Sequence, residues 1–317
     1  MRLILPLSVS LLVVAAIAGC GSSDSSSAAP GAIDVVVTTT QLGDIVRAVG
    51  GDAVAVHQIL KPNTDPHDYE PRPKDIQETA GAKLVVTSGD NLDAWMGEVL
   101  DNAGGDPSVL DAGAGRPVTR PGDDAGPEAS RFDPHWWHDP RNVEYATTRI
   151  RDALVKTDPK ATAKIDARAE TYLAELRALD AGIAMCMNKV SADRRKLVTD
   201  HDAFGYFAHR YGIDVVGAVI PSQTTQAQPS AGDLAKLTKV IEREHVQAIF
   251  PESSINPKLA DAIARETGAS ADHTLYGDTL GTTGSGGATY LGMEAANADA
   301  MVRGFTGGAR GCAVAGI

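Results

Sequence analysis

The sequence predicts an α/β protein: two similar α/β lobes with mostly parallel sheets, joined by one long helix. Three observations predict it. Short β-rich runs bounded by Gly, Asp and Asn alternate with helical stretches on both sides of the chain's middle, the signature of β-α-β units. Between them, residues 159–190 contain one glycine, Gly182, and no proline after Pro159. A length of 317 residues suits two compact domains.

Residues 1–19 read as a lipoprotein signal peptide. Arg2 is followed by an apolar run to Ile17, short against the about 20 residues that a membrane-spanning helix needs. Ile17-Ala18-Gly19-Cys20 resembles a bacterial lipobox, which makes Cys20 the expected lipid attachment; an ordinary signal peptide and an uncleaved anchor are the alternatives. Residues 20–31, rich in Ser and Gly, read as a flexible tether.

The first lobe is expected over 32–156. Runs 33–38, 54–60 and 84–88 read as buried parallel strands. Leu42, Ile45, Val46 and Val49 recur at helical spacing between the first two, and further helices begin at 73 and 92. Asp139-Pro140 and Asp158-Pro159 each offer an N-cap with proline at the first helical position. The linking helix is expected over 157–190, with Ile165, Tyr172, Leu176, Leu179 and Ile183 on one face. About 30 residues would span roughly 45 Å, enough to run from lobe to lobe; a pair of shorter helices is the alternative. In the second lobe, 191–317, runs 197–199, 215–220, 248–250 and 273–276 read as strands, with helices over 234–244 and 257–267. Residues 281–287 read as a flexible loop, since no G-x-x-x-x-G-K pattern surrounds them.

Composition narrows the function. The net charge is −12 and aromatics are 5%, so neither phosphate neutralisation nor base stacking is provided for, and nucleic acid is excluded as partner. Beyond Cys20 the chain has Cys186 and Cys312; an extracytoplasmic setting favours a bridge between them, the alternative being that Cys186 is a small core residue. Among eight histidines, three occupy unusual company. His67 lies in Asp65-Pro66-His67-Asp68-Tyr69-Glu70-Pro71, His135 in Asp133-Pro134-His135-Trp136-Trp137-His138-Asp139-Pro140, and His201 in Asp200-His201-Asp202-Ala203-Phe204-Gly205. Proline-bracketed or strand-end loops hold an imidazole in a fixed orientation, as a metal site requires. Spacing alone does not show that the three converge.

Those segments, together with Pro251-Glu252-Ser253-Ser254 and Leu275-Tyr276-Gly277-Asp278, resemble in content and order the metal-specific solute-binding lipoproteins of bacterial ABC transporters for zinc and manganese. The resemblance implies two lobes joined by one rigid helix, with His67 and His135 as ligands from the first lobe and His201 and Asp278 from the second. It leaves Glu252 as a loop-fixing group near the site, and His138, where relatives commonly carry an apolar residue, as a surface histidine with a spare ligand as alternative. Residues 120–128 stand where many zinc members carry a long histidine-rich loop, but here they are short and lack histidine.

Three imidazoles and one carboxylate suit Zn2+, with Mn2+ as the alternative. In manganese-leaning members the third position is usually glutamate, whereas this chain has His201. The expected activity is capture and delivery, not catalysis: no H-E-x-x-H helix is present, and a fourth protein ligand closes the position where a hydrolase keeps its water. A secreted zinc hydrolase and an adhesin are the competing readings. The expected setting is a monomer outside the cytoplasmic membrane, anchored to the bilayer through Cys20 and serving a cognate ABC permease by small loop movements near His201 and Asp278.

Overall fold

The structure, a computed structural model, describes residues 31–126 and 128–317. The signal peptide, Cys20 and all of the tether except its last residue lie outside the described residues. Strand β1 (Ile33–Val37) is flanked on both sides by parallel neighbours, which is why its residues after Asp34, Val35 to Val37, are apolar and buried without alternation. It leads into helix α1 (Thr40–Gly50), capped by the Thr39 hydroxyl, which accepts from the Leu42 amide. Leu42, Ile45, Val46 and Val49 form its buried face. Strand β2 (Val54–Gln58), helix α2 (Pro73–Ala80), strand β3 (Leu84–Thr87), helix α3 (Met96–Ala103) and strand β4 (Ser108–Asp111) complete a parallel sheet in the order β2-β1-β3-β4.

Helix α4 (Pro140–Thr157) starts on the Asp139 N-cap and packs against α1. A short turn, Pro159–Ala161, then feeds helix α5 (Thr162–Met187), a single rod of 26 residues. At 1.5 Å per residue it is about 39 Å long. Its stripe of Ile165, Ala169, Tyr172, Leu176, Leu179 and Ile183 is buried.

Strand β5 (Lys196–His201), helix α6 (Gly205–Tyr211) and strand β6 (Asp214–Ile220) form the second parallel unit. Helices α7 (Ala231–Glu244), α8 (Lys258–Thr267) and α9 (Tyr290–Phe305) follow. The runs expected as strands at 248–250 and 273–276 appear as isolated parallel bridges, Thr199 to Phe250, Ala248 to Ser270 and Glu252 to Leu275. Pro251 brings no amide proton to that edge, so pairing stays local. The glycine-rich segment closes on itself, Gly281 N donating to Gly287 O at 2.8 Å, and both glycines press so closely on the Tyr276 ring that a Cβ at either would overlap it.

Packing unites the halves. One buried apolar cluster runs from Val35, Ile45 and Trp136 through the α5 stripe to Phe204, Phe250 and Met301. Cys186, at the end of α5, is disulfide-bonded to Cys312 near the end of the chain. Among the described residues no helix is long and apolar enough to cross a membrane.

Candidate metal centre

Each of the histidine segments sits where a strand has ended or a helix is about to start. His67 lies in the turn Pro66–Asp68, whose Asp65 side chain accepts from the His67 amide at 3.0 Å. His135 immediately precedes the turn Trp136–His138 and α4. His201 is the last residue of β5, and Asp278 follows the Leu275 bridge in the loop ahead of α9.

These four buried side chains offer ligating atoms that all lie within 4.8 Å of one another. His135 Nε2 is 3.2 Å from His201 Nε2 and 3.3 Å from Asp278 Oδ1. Asp278 Oδ2 is 3.4 Å from His201 Nε2 and 3.7 Å from His67 Nε2. A tetrahedron with metal–ligand bonds of about 2.0–2.1 Å has edges of about 3.3 Å, which the His135, His201 and Asp278 contacts match, while His67 stands somewhat farther out.

The hydrogen bonding explains why these atoms face inward. His67 Nδ1 lies 2.5 Å from Glu128 Oε2, His135 Nδ1 2.8 Å from Asp133 Oδ1, and His201 Nδ1 2.9 Å from Glu252 Oε1. A carboxylate only accepts, so each Nδ1 carries the proton and each Nε2 directs its lone pair at the common centre. His67 Nε2 and both Asp278 oxygens find no hydrogen-bond partner among the described residues. Converging lone pairs repel, and a cation or added protons must answer them. Burial disfavours the His135 imidazolium, yet the Asp133 and Asp278 carboxylates outweigh it and push the group up to about 9. His201 is likewise raised despite burial, by Glu252 and Asp278. Burial opposes ionisation of Asp278, but the three imidazoles hold its carboxyl well below the usual range.

Residues 35–304 match the family described as zinc-uptake complex component A, periplasmic (ZnuA). The chain belongs to the ZnuA family. Among its relatives, the zinc-binding protein TroA of Treponema pallidum is 32% identical over 288 residues, covering 89% of this chain and 91% of that one. The iron-binding protein YfeA of Yersinia pestis is 31% identical over 297 residues, 93% of this chain and 92% of that one. The manganese-binding lipoprotein MntA of Halalkalibacterium halodurans is 29% identical over 300 residues, 93% and 97% of the two chains. The solved structure of periplasmic TroA superposes with a TM-score of 0.79 at 31% identity, over 87% of this chain and 99% of that one. This ZnuA-family chain is therefore a metal-binding substrate-binding protein of an ABC transporter.

Glu252 stands behind His201, accepting from both its amide and its ring, and its own amide donates to Asp200 at 2.7 Å. Gly277 is what lets it fit: a Cβ there would collide with Glu252 Oε2. The substitution Gly277→Ala is expected to push Glu252 off His201 and to lower metal affinity about 10- to 100-fold, the usual cost of losing such a partner. Competition with a chelating dye checks it, and unchanged affinity would refute the coupling.

His138 is not the surface histidine that the sequence suggested, nor does it join the cluster. It is fully buried, with Nδ1 2.8 Å from Glu294 Oε1 and its ring stacked on Phe204 at 4.4 Å between centroids. The turn Trp136–His138 points it away from His135, and its partner arrives on α9, 156 positions along the chain. Sequence reasoning also passed over Asp133 and Glu128 as partners of the ligating imidazoles. Asp133 could have been found, standing two residues before His135 inside a motif already singled out; Glu128 carried no local signal.

Proposed function

We propose that the chain captures Zn2+ between its two halves through His67, His135, His201 and Asp278, and delivers it to an ABC-type permease from outside the cytoplasmic membrane, held there by a lipid on Cys20. The observation that carries the reading is the set of four buried donor atoms within 4.8 Å of one another, three of them imidazole nitrogens whose opposite edges are each fixed by a carboxylate. The protein partners are the permease and the bilayer; the protein works as a monomer.

The test is elemental analysis of the tag-free soluble protein after competition between zinc and manganese. About one zinc per chain is expected, with His201→Glu moving preference towards manganese. Wild-type protein that loads manganese against equal zinc overturns the zinc assignment. One observation favours that second reading: both Asp278 oxygens face the cluster unpartnered, so a bidentate carboxylate could serve a larger, oxygen-preferring ion.

Binding should also release protons. Only neutral imidazoles ligate, while His135 in the metal-free protein is pushed up to about 9. Conditional affinity is therefore expected to fall about tenfold per pH unit of acidification for each proton displaced. The same raised value stabilises the metal-free fold fully below 6.5, and that contribution fades as pH rises through about 9. Calorimetry in buffers of different ionisation enthalpy measures the protons released; none released at neutral pH would contradict the assignment.

The apolar core running continuously through both halves supports delivery by local loop movement over wide hinge opening. Nearly superimposable scattering profiles with and without zinc are expected.

A further inference from the structure

The three carboxylates behind the imidazoles are not equivalent. Asp133 and Glu252 are buried, one beside its histidine in the chain and the other fastened by its amide to Asp200. Glu128 is 18% exposed and reaches His67 from the 120–132 segment, the short stretch without histidine. Its described residues, 120–126 and 128–132, form a folded strap. Pro121 pairs antiparallel with Phe132, Gly122 N donates to Arg131 O at 3.2 Å, and Ser130 N donates to Asp123 O at 3.2 Å.

The strap is latched to the other half of the molecule. Asp123 Oδ2 accepts from Ser222 Oγ at 2.7 Å and from Gln223 N at 2.9 Å. The Gln223 side chain returns the contact, accepting from Asp123 N at 3.2 Å and donating to Pro121 O at 3.1 Å. The next residues of the same loop grip the His67 turn: Thr225 Oγ1 donates to Asp65 Oδ2 at 2.6 Å, and the Gln226 amide donates to the His67 carbonyl. Between strap and latch lies a cavity of about 10 Å³ lined by Asp90, Asp123, Glu128 and Gln223, space for about one water.

We infer that the strap is a release gate, resting on the metal-delivery reading above. Glu128 is a positioning residue that orients His67 towards the ion, and the Asp123–Ser222–Gln223 latch couples that hold to the relation between the halves. A partner that pulls the 222–226 loop loosens the strap, withdraws Glu128 and makes His67 the first ligand to leave. Asp133 and Glu252, sealed inside, keep His135 and His201 in place meanwhile. The metal then departs through one weakened contact, without the molecule unfolding.

The test compares the soluble chain with Glu128→Ala, Glu128→Gln and Asp123→Ala. Zinc is loaded, excess EDTA is added, and release is followed by stopped flow. Nitrogen-15 NMR reads the three ligating imidazoles separately, and the metal-free melting temperature is recorded. Release about 10- to 100-fold faster is expected in Glu128→Ala, with part of the slow release regained in Glu128→Gln, whose amide oxygen still accepts. Asp123→Ala, which removes the acceptor of the latch, should also release faster, with only the His67 resonances displaced. Wild-type release rates in Glu128→Ala would overturn the gate. So would displacement of all three imidazoles together with a lowered metal-free melting temperature, which marks a merely structural strap. A wild-type chain that holds no zinc would instead sink the reading on which the gate rests.

Discussion

Asp278→Ala is expected to lower zinc affinity by more than about 100-fold while the fold persists. A four-ligand zinc site carries about 10–16 kcal/mol, so one ligand contributes roughly 3–4 kcal/mol, a factor of about 100 to 1,000. Asp278 should lie at the upper end, since it is the only anion among the four donors and approaches each of the three imidazoles. The loop itself is held by other groups. Gln41 Nε2 donates to the Asp278 carbonyl at 2.9 Å, Trp137 Nε1 to the Gly277 carbonyl at 3.1 Å, and the Leu280 amide to Thr40 Oγ1 at 2.8 Å. Removing the carboxylate therefore deletes a ligand without releasing the backbone. It also removes a carboxylate that raises His135 and His201, so the metal-free variant should take up fewer protons near neutral pH. Competitive titration against a zinc dye, with near-ultraviolet circular dichroism to verify the fold, checks the prediction. Affinity equal to wild type would place the ion elsewhere.

The sequence exposed what local chemistry dictates and hid what only the fold brings together. His67, His135 and His201 stood out because proline and aspartate around them specify rigid loops at strand ends. The α5 rod was legible because its apolar stripe and its freedom from proline are properties of consecutive residues. Asp278 has no such mark: Gly277-Asp278 is an ordinary turn pair, and its assignment came only through the resemblance. Glu128 reaches His67 from 61 positions away and Glu294 reaches His138 from 156, distances at which periodicity says nothing. The sequence reading also passed over α9. Its buried residues (Tyr290, Met293, Glu294, Asn297, Ala298 and Met301) do lie on one face, but Glu294 and Asn297 make that face partly polar while Leu291, Ala295, Ala296 and Ala300 make the others apolar, so no clean apolar stripe stands out. Gly304, a poor helix former, is required there because a Cβ would strike the Phe250 ring.

Breaking the bridge between Cys186 and Cys312 is expected to destabilise the chain by about 4–5 kcal/mol, judged from the loop it closes. The two residues are 126 positions apart, with the second parallel unit and α7 to α9 inside the loop. Reduction, or Cys186→Ala with Cys312→Ala, frees that span in the unfolded chain; for a protein of this size the melting temperature should drop by roughly 10 °C. The effect should reach the metal centre through α9. Cys312 N donates to Asp299 Oδ1 at 2.7 Å, and Val314 packs so tightly on Gly182 that a Cβ there would overlap it, so the chain end pins α9 against α5. Two residues before Asp299, the Asn297 amide accepts from Tyr276 N at 2.8 Å and donates to Tyr276 O at 2.9 Å, holding the start of the Asp278 loop. Loosening α9 should thus weaken zinc binding by a smaller factor than loss of a ligand, while zinc itself restores stability in proportion to its concentration over Kd. Chemical denaturation with and without reductant, each with and without zinc, separates these contributions. A melting temperature indifferent to reductant would mean that the two thiols are not bridged in the folded protein.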